Sequence, residues 1–304
     1  MTCVNVSTCT RLTCHGGAGL NLVVLLREVE YARPATVDEA ISLLGSHDGA
    51  RPLAGGQTLV NVMKQRAAAP DVLVDLADLD ELRGIGFSAD GMLEIGAMVT
   101  CAQLMSSSEV DVSRPILAEV AGSIADVQVR NRGTIGGNVC VSDPTNHFPP
   151  LLAALDATFT IRGQGGERTV PADEFFIGVY MTAVGEGELL TTINVPPSSG
   201  AGDGYAGLTI GAHGTYIVNA AASVSGDAVR VAIGCVAAAP VRATQMEERL
   251  AGGDFSEDAV RAAAEGLGAS LDPPSDVHGS ADFRRHLAEV SAVRAVLQAA
   301  GRRK

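Results

Sequence analysis

Two short glycine turns are the residues best suited to chemistry in this sequence. Ala54-Gly55-Gly56-Gln57-Thr58 follows a brief run with strand character and leads into helical sequence, and Thr134-Ile135-Gly136-Gly137-Asn138 repeats the device further along. Residues without a Cβ let the backbone come close to a ligand, successive amides form an anion-binding nest, and a following helix start adds positive dipole. Thr58 places a hydroxyl at the same point. Either turn alone is an ordinary connector, but two nests are able to grip the two phosphates of one dinucleotide from opposite sides. Neither turn fits GxGxxG or GxxxxGK[ST], which disfavours Rossmann and P-loop readings.

The cysteines do not build a site of their own. Cys3, Cys9 and Cys14, followed by His15, crowd the first residues, with a spacing that matches neither paired CxxC nor a ferredoxin-type run. Cys101, Cys140 and Cys235 are scattered, so neither a disulfide framework nor a metal site is expected. Residues 1–28 read as a loosely held extension, poorly ordered, with the folded part beginning near Glu28.

The elements around the turns follow from local pattern. Thr36 caps a helix with acids in its first turn and apolar Ala40, Ile41, Leu43 and Leu44 at helical spacing. Residues 51–54 form a short strand into the first turn, and 58–66 resume as helix. Val72-Leu73-Val74 is a buried strand, and 92–98 alternate beyond a turn at Asp90-Gly91. Helices are expected over 100–106 and 115–124, the second with proline in its first turn. After the second glycine turn an extended stretch is expected as far as Pro149-Pro150, then a helix over 151–155 and strands over 158–161 and 189–195. The Pro-, Ser- and Gly-rich stretch 196–203 marks a domain boundary. Beyond it, 218–224 and 229–236 read as a hairpin about Gly226-Asp227, followed by alanine-rich helices near 257–268 and 282–299.

Composition narrows the function classes. The 304 residues suffice for two modest domains, with 46% apolar and 19% charged residues. Lys and Arg total 22 against 35 Asp and Glu, a net charge of −13 that repels a nucleic-acid backbone or an anionic membrane surface. An anionic cofactor must therefore be held by locally aimed donors. No apolar run reaches the length of about 18 residues that a membrane helix needs. The stretch 20–26 is too short, and it lacks a small-residue cleavage site, so a cytoplasmic chain is expected.

Taken together and in order, Arg51-Pro52-Leu53-Ala54-Gly55-Gly56-Gln57-Thr58-Leu59 with Met63-Lys64, and Arg130-Asn131-Arg132-Gly133-Thr134-Ile135-Gly136-Gly137-Asn138 with Asp143-Pro144 and Leu155-Asp156-Ala157, resemble the two flavin loops of a known family. That family is the FAD-binding medium subunits of the molybdenum hydroxylases, typified by carbon monoxide dehydrogenase and xanthine dehydrogenase. The resemblance runs over about 31–242 and leaves the N-terminal extension outside. It implies an α+β fold: a two-subdomain FAD-binding domain of the PCMH (vanillyl-alcohol-oxidase-like) type at 29–198, then a smaller C-terminal α+β domain with an antiparallel sheet at 199–304.

The resemblance also implies a site. Leu53, Ala54, Gly55, Gly56, Gln57, Thr58 and Leu59, with Thr134, Ile135, Gly136, Gly137 and Asn138, would wrap the FAD pyrophosphate. Ile124 and Leu190 would line the flavin or adenine pocket, although the same side chains serve equally as plain core. Tyr216 would lie near the isoalloxazine ring. Two departures stand out. Relatives often carry an acid where this chain has His147, so a cofactor hydrogen bond there is remade by His147, remade by Asp143, or lost. They also place a lysine at about Thr209. No catalytic residue is implied in this chain. Partners would be a small subunit with [2Fe–2S] clusters and a large molybdopterin subunit, assembled as a dimer of heterotrimers, with electrons passing through FAD to an external acceptor. The alternative is a self-sufficient flavin oxidase of the vanillyl-alcohol type, which would need catalytic Tyr, His or Arg residues that the sequence after residue 200 scarcely offers.

Overall fold

The computed structural model describes residues 10–11, 26–211 and 214–303. Cys3, Cys9, Cys14 and His15 lie outside the described residues, as does most of the N-terminal extension. The backbone of Thr10–Arg11 pairs antiparallel with Glu30 and Tyr31.

Three of the four sheets among the described residues organise the chain. In the first, Glu30–Ala32 and Ala50–Leu53 both run parallel to Val72–Asp75, which lies between them and is buried along its length, as a central parallel strand must be. The helix Val37–Ser46 crosses over between the first two strands. Thr36 accepts the Glu39 amide as its cap, and Val37, Ala40, Ile41 and Leu44 face the core.

The second sheet is antiparallel, in the order Ile85–Phe87, Leu93–Gly96, Leu189–Val195, Thr158–Gly163, Gly166–Pro171. Short helices pack on it: Cys101–Ser106, opened by a Thr100/Gln103 capping box, then Ser108–Ser113, Ile116–Ser123, Val127–Arg132, Ile135–Val141 and Phe148–Ala154. Their shared core includes Phe148, Phe159, Phe175, Leu151 and Ile135, all sealed from solvent.

The third sheet, also antiparallel, runs Gly202–Thr209, Tyr216–Ser225, Ala228–Gly234, Val241–Arg242 and is covered by the long helix Ala281–Gly301. Gly202 and Gly204 permit that cover. A Cβ on them would fall 2.1 Å from the carbonyl oxygens of Ala299 and Ala295, so only glycine lets the helix lie this close. Tyr205, Tyr216, Ala221, Ala232 and Cys235 of this sheet belong to the same core as the second sheet. Across the join, buried Arg114 donates to both carboxylate oxygens of buried Asp203 and to the carbonyls of Pro196 and Pro197.

One expectation is corrected. The stretch after the second glycine turn is not extended as far as Pro149-Pro150: helix continues to Val141, a loop follows, and the next helix begins at Phe148 with both prolines inside its first turn, where no amide is needed. Within the stretch 196–203 the strand Gly202–Thr209 begins.

Candidate functional site

The first glycine turn lies between Ala50–Leu53 and Leu59–Lys64, and the second opens the helix Ile135–Val141. The fold sets them against each other. A Cβ on Gly55 would lie 1.9 Å from the Arg132 carbonyl oxygen and 3.0 Å from Gly133 Cα, and one on Gly137 would lie 3.7 Å from Ala54 Cβ. Gly56 takes φ +72°, a left-handed conformation that glycine adopts without cost.

The two turns differ in how their amides are used. In the second, every amide from Ile135 to Asn138 is already used: those of Ile135 and Gly136 donate to the carbonyls of Val99 and Ala97, that of Gly137 to Thr134 Oγ1, and that of Asn138 to the Thr134 carbonyl. In the first, the amides of Gly55, Gly56, Gln57 and Thr58 donate to no described residue, and the Thr58 hydroxyl makes no capping bond. The first turn therefore supplies donors. The second supplies a glycine surface against which they sit.

Beyond the second turn, Asn146 Nδ2 donates to the Asn138 carbonyl at 2.8 Å, and Asn138 Oδ1 is buried without a partner. Asp143 is occupied by its own chain: Oδ1 accepts the Thr145 amide and hydroxyl, and Oδ2 accepts the Tyr180 hydroxyl at 3.1 Å. His147 is buried, and its Nε2 has no hydrogen-bond partner among the described residues. Burial pushes the imidazole down to about 4, so it is neutral at physiological pH.

Tyr216 meets the His147 ring edge-on at 4.7 Å between centroids and Tyr205 at 5.8 Å, and Tyr205 Oη donates to the His147 carbonyl at 3.0 Å. Burial raises the Tyr216 phenol above its ordinary range. Thr209 pairs directly with Tyr216 across the strands, and its hydroxyl donates to Gly211.

The structure thus gathers the glycine turns into one place, and His147 and Tyr216 into contact with each other. Ile124 and Leu190 are both core side chains of the second-sheet unit. Leu190 adjoins Thr191, whose carbonyl accepts the Ala97 amide, and Ala97 in turn accepts from Gly136, so its strand sits one step from the second turn. Sequence reasoning missed Tyr205, which donates to the His147 carbonyl, and Tyr180, which donates to Asp143. No local motif announces them, because they come from distant elements.

Comparison with known proteins places this arrangement. The model of the FAD binding domain in molybdopterin dehydrogenase matches residues 27–198, and that of the CO dehydrogenase flavoprotein C-terminal domain matches 211–299. The chain is 39% identical to the carbon monoxide dehydrogenase medium chain of Hydrogenophaga pseudoflava, covering 88% of this chain and 95% of that one. It is 34% identical to the glyceraldehyde dehydrogenase medium chain of Sulfolobus acidocaldarius over 90% of this chain and 99% of the relative. Among solved structures, carbon monoxide dehydrogenase from Hydrogenophaga pseudoflava lacking the Mo-pyranopterin moiety of its cofactor superposes with a TM-score of 0.87 at 40% identity, covering 91% and 98% of the two chains.

Proposed function

The chain belongs to the carbon monoxide dehydrogenase flavoprotein family, with the FAD-binding domain of the molybdopterin dehydrogenases, and from that premise we propose that it carries electrons through bound FAD from an iron–sulfur partner to an external acceptor. The observation that carries this reading is the mismatch of hydrogen-bonding capacity at the site. Among the described residues, the four neighbouring amides at Gly55, Gly56, Gln57 and Thr58 have no acceptor, and Asn138 Oδ1 and His147 Nε2 are buried without a hydrogen-bond partner. A pyrophosphate offers the acceptors and the sugar and flavin groups offer the donors, so the residues present fit FAD.

On this reading the amides of 55–58 and the Thr58 hydroxyl hold the pyrophosphate. Leu53, Ala54 and Leu59 flank it, and Thr134, Ile135, Gly136 and Gly137 form the opposing wall. Asn138 and His147 accept from the cofactor, Tyr216 faces the ring system, and Ile124 and Leu190 give the pocket its apolar lining. Asp143 acts through Tyr180 by fixing the loop that carries His147. Bound FAD supplies the capacity to collect electrons singly and release them in pairs. The units are 29–198 for FAD binding and 199–304 for the C-terminal domain, with 1–28 as an extension.

The partners are a small subunit with [2Fe–2S] clusters and a large molybdopterin subunit, in a dimer of heterotrimers in the cytoplasm. In support, the relatives are named medium chains, and no described helix is long and apolar enough to cross a membrane. The same names disfavour the self-sufficient oxidase.

Purified alone, the full chain should carry stoichiometric FAD that stays in the supernatant after acid precipitation. It should oxidise neither aldehydes, purines nor carbon monoxide until both partner chains are added. Flavin in the pellet, or turnover by the lone chain, would establish the oxidase instead.

A further inference from the structure

Arg284, on the long C-terminal helix, is a buried cation that the proposed function does not use. Only 5% of the residue is exposed. Its Nη1 donates to the Ile217 carbonyl at 2.6 Å and reaches the Cys235 carbonyl at 3.5 Å, its Nη2 donates to Asp276 Oδ2 at 2.7 Å, and its Nε is buried without a partner. Both carbonyls belong to segments that end at the candidate site. Ile217 follows Tyr216. Cys235 holds φ +66°, a left-handed conformation unusual for a side chain of its size, and its amide donates to the Pro144 carbonyl at 3.1 Å. One guanidinium therefore ties the start of the Tyr216 strand to the residue that anchors the Asp143-Pro144 loop.

The charge is as telling as the bonds. The counter-ion is not buried with the cation: the Asp276 side chain is 43% exposed against 6% for Arg284. Water screens the carboxylate more than the guanidinium, so the pair leaves a net positive potential on its inner side. Burial pushes the Cys235 thiol up to about 12, with Asp143 adding to the shift and Arg284 acting against it. Thr209, across from Tyr216, contributes no cation on that flank.

We propose that Arg284 is a positioning residue of the flavin site, which pins Tyr216 and the Asp143-Pro144 loop together and supplies the fixed positive charge that favours the reduced cofactor. The proposal rests on the FAD reading above and adds to it a determinant of reduction potential on a helix that contributes no residue to the glycine turns.

The test uses the full chain loaded with FAD. In Arg284→Met the flavin midpoint should move to lower potential by about tenfold in the equilibrium, about 30 mV for a two-electron couple, with a changed visible circular dichroism. Arg284→Lys, which keeps the charge but not the fork, should restore most of the midpoint. Asp276→Asn leaves the bonds to Ile217 and Cys235 available and removes only the counter-charge, so its midpoint should rise. A merely structural role does not give opposite midpoint shifts in Arg284→Met and Asp276→Asn. If Arg284→Met fails to fold, the Lys and Asn variants decide. Wild-type midpoints in Asp276→Asn and in whichever Arg284 variants load FAD would overturn the proposal. A wild-type chain that takes up no FAD would instead overturn the reading beneath it.

Discussion

Gly55→Ala asks the most of the site with the least chemistry. The added methyl would sit 1.9 Å from the Arg132 carbonyl oxygen and 2.6 Å from its carbon, where ordinary contact begins near 3.4 Å. The obstacle is backbone, and the Arg132-Gly133 segment is held from behind, because the Gly133 amide donates to Val129 and its carbonyl accepts from Cys101. The two turns must therefore part by about 1.5 Å, a distance that separates donors from any shared ligand. Overpacking of this kind costs about 1–3 kcal/mol, and about 1.4 kcal/mol is tenfold in affinity. FAD binding should weaken by about ten- to a hundredfold, read by titrating the apoprotein against flavin fluorescence, with a thermal melt in parallel. Gly165→Ala is the control, since a Cβ there meets nothing within 4 Å. Wild-type FAD affinity and melting in Gly55→Ala would refute the close approach of the two turns.

Gly56 tests conformation rather than space. At φ +72°, Gly56→Asn should retain FAD far better than Gly56→Val, because asparagine tolerates the left-handed region and a β-branched residue does not; equal retention in a flavin assay would contradict this. His147 makes stability depend on pH. Its folded pKa, near 4, lies below the unfolded value of 6.5, so the unfolded chain binds the extra proton and the contribution, complete above pH 6.5, is lost as pH falls toward 4. That loss amounts to about 3 kcal/mol. Denaturant melts across this window should show a slope that His147→Gln removes. Arg114→Met strands the buried Asp203 carboxylate and should cost about 3–5 kcal/mol of stability, measured by chemical denaturation; an unchanged midpoint would show that water reaches Asp203.

Much of the scaffold was legible because local and tertiary demands agree. Thr36 with Asp38 and Glu39 announces its helix, and Gly226-Asp227 announces a hairpin whose flanking residues Ser225 and Ala228 do pair. Legibility fails where packing overrides propensity. Gly136, Gly137, Val139 and Val141 argue against a helix, at about 1 kcal/mol for each glycine, yet Ile135–Val141 is helical because Thr134 caps it and the amides of Ile135 and Gly136 are taken by Val99 and Ala97. Gly202, Gly204 and Gly207 look like linker, although the first two are what admit the long helix.

The site divides in the same way. Its glycine motifs stand plainly in the chain and carried the family resemblance. Their contact through Gly55 and Arg132, and the difference between spent and free amides, depend on residues far apart in sequence. Arg284 was invisible for the same reason: its partners, Ile217, Cys235 and Asp276, share no spacing rule with it.

The core that Tyr205, Tyr216, Ala221, Ala232 and Cys235 share with the second sheet has a consequence for how the molecule can be taken apart. A cut in the proline-rich connector falls where the chain is thinnest, but both fragments would expose apolar surface, and each would keep one half of the Arg114–Asp203 pair. Calorimetry should then record a single cooperative transition for the described body. Grafting the C-terminal half of one relative onto the first half of another would require exchanging that seam as well. The unit of inheritance here is larger than either half.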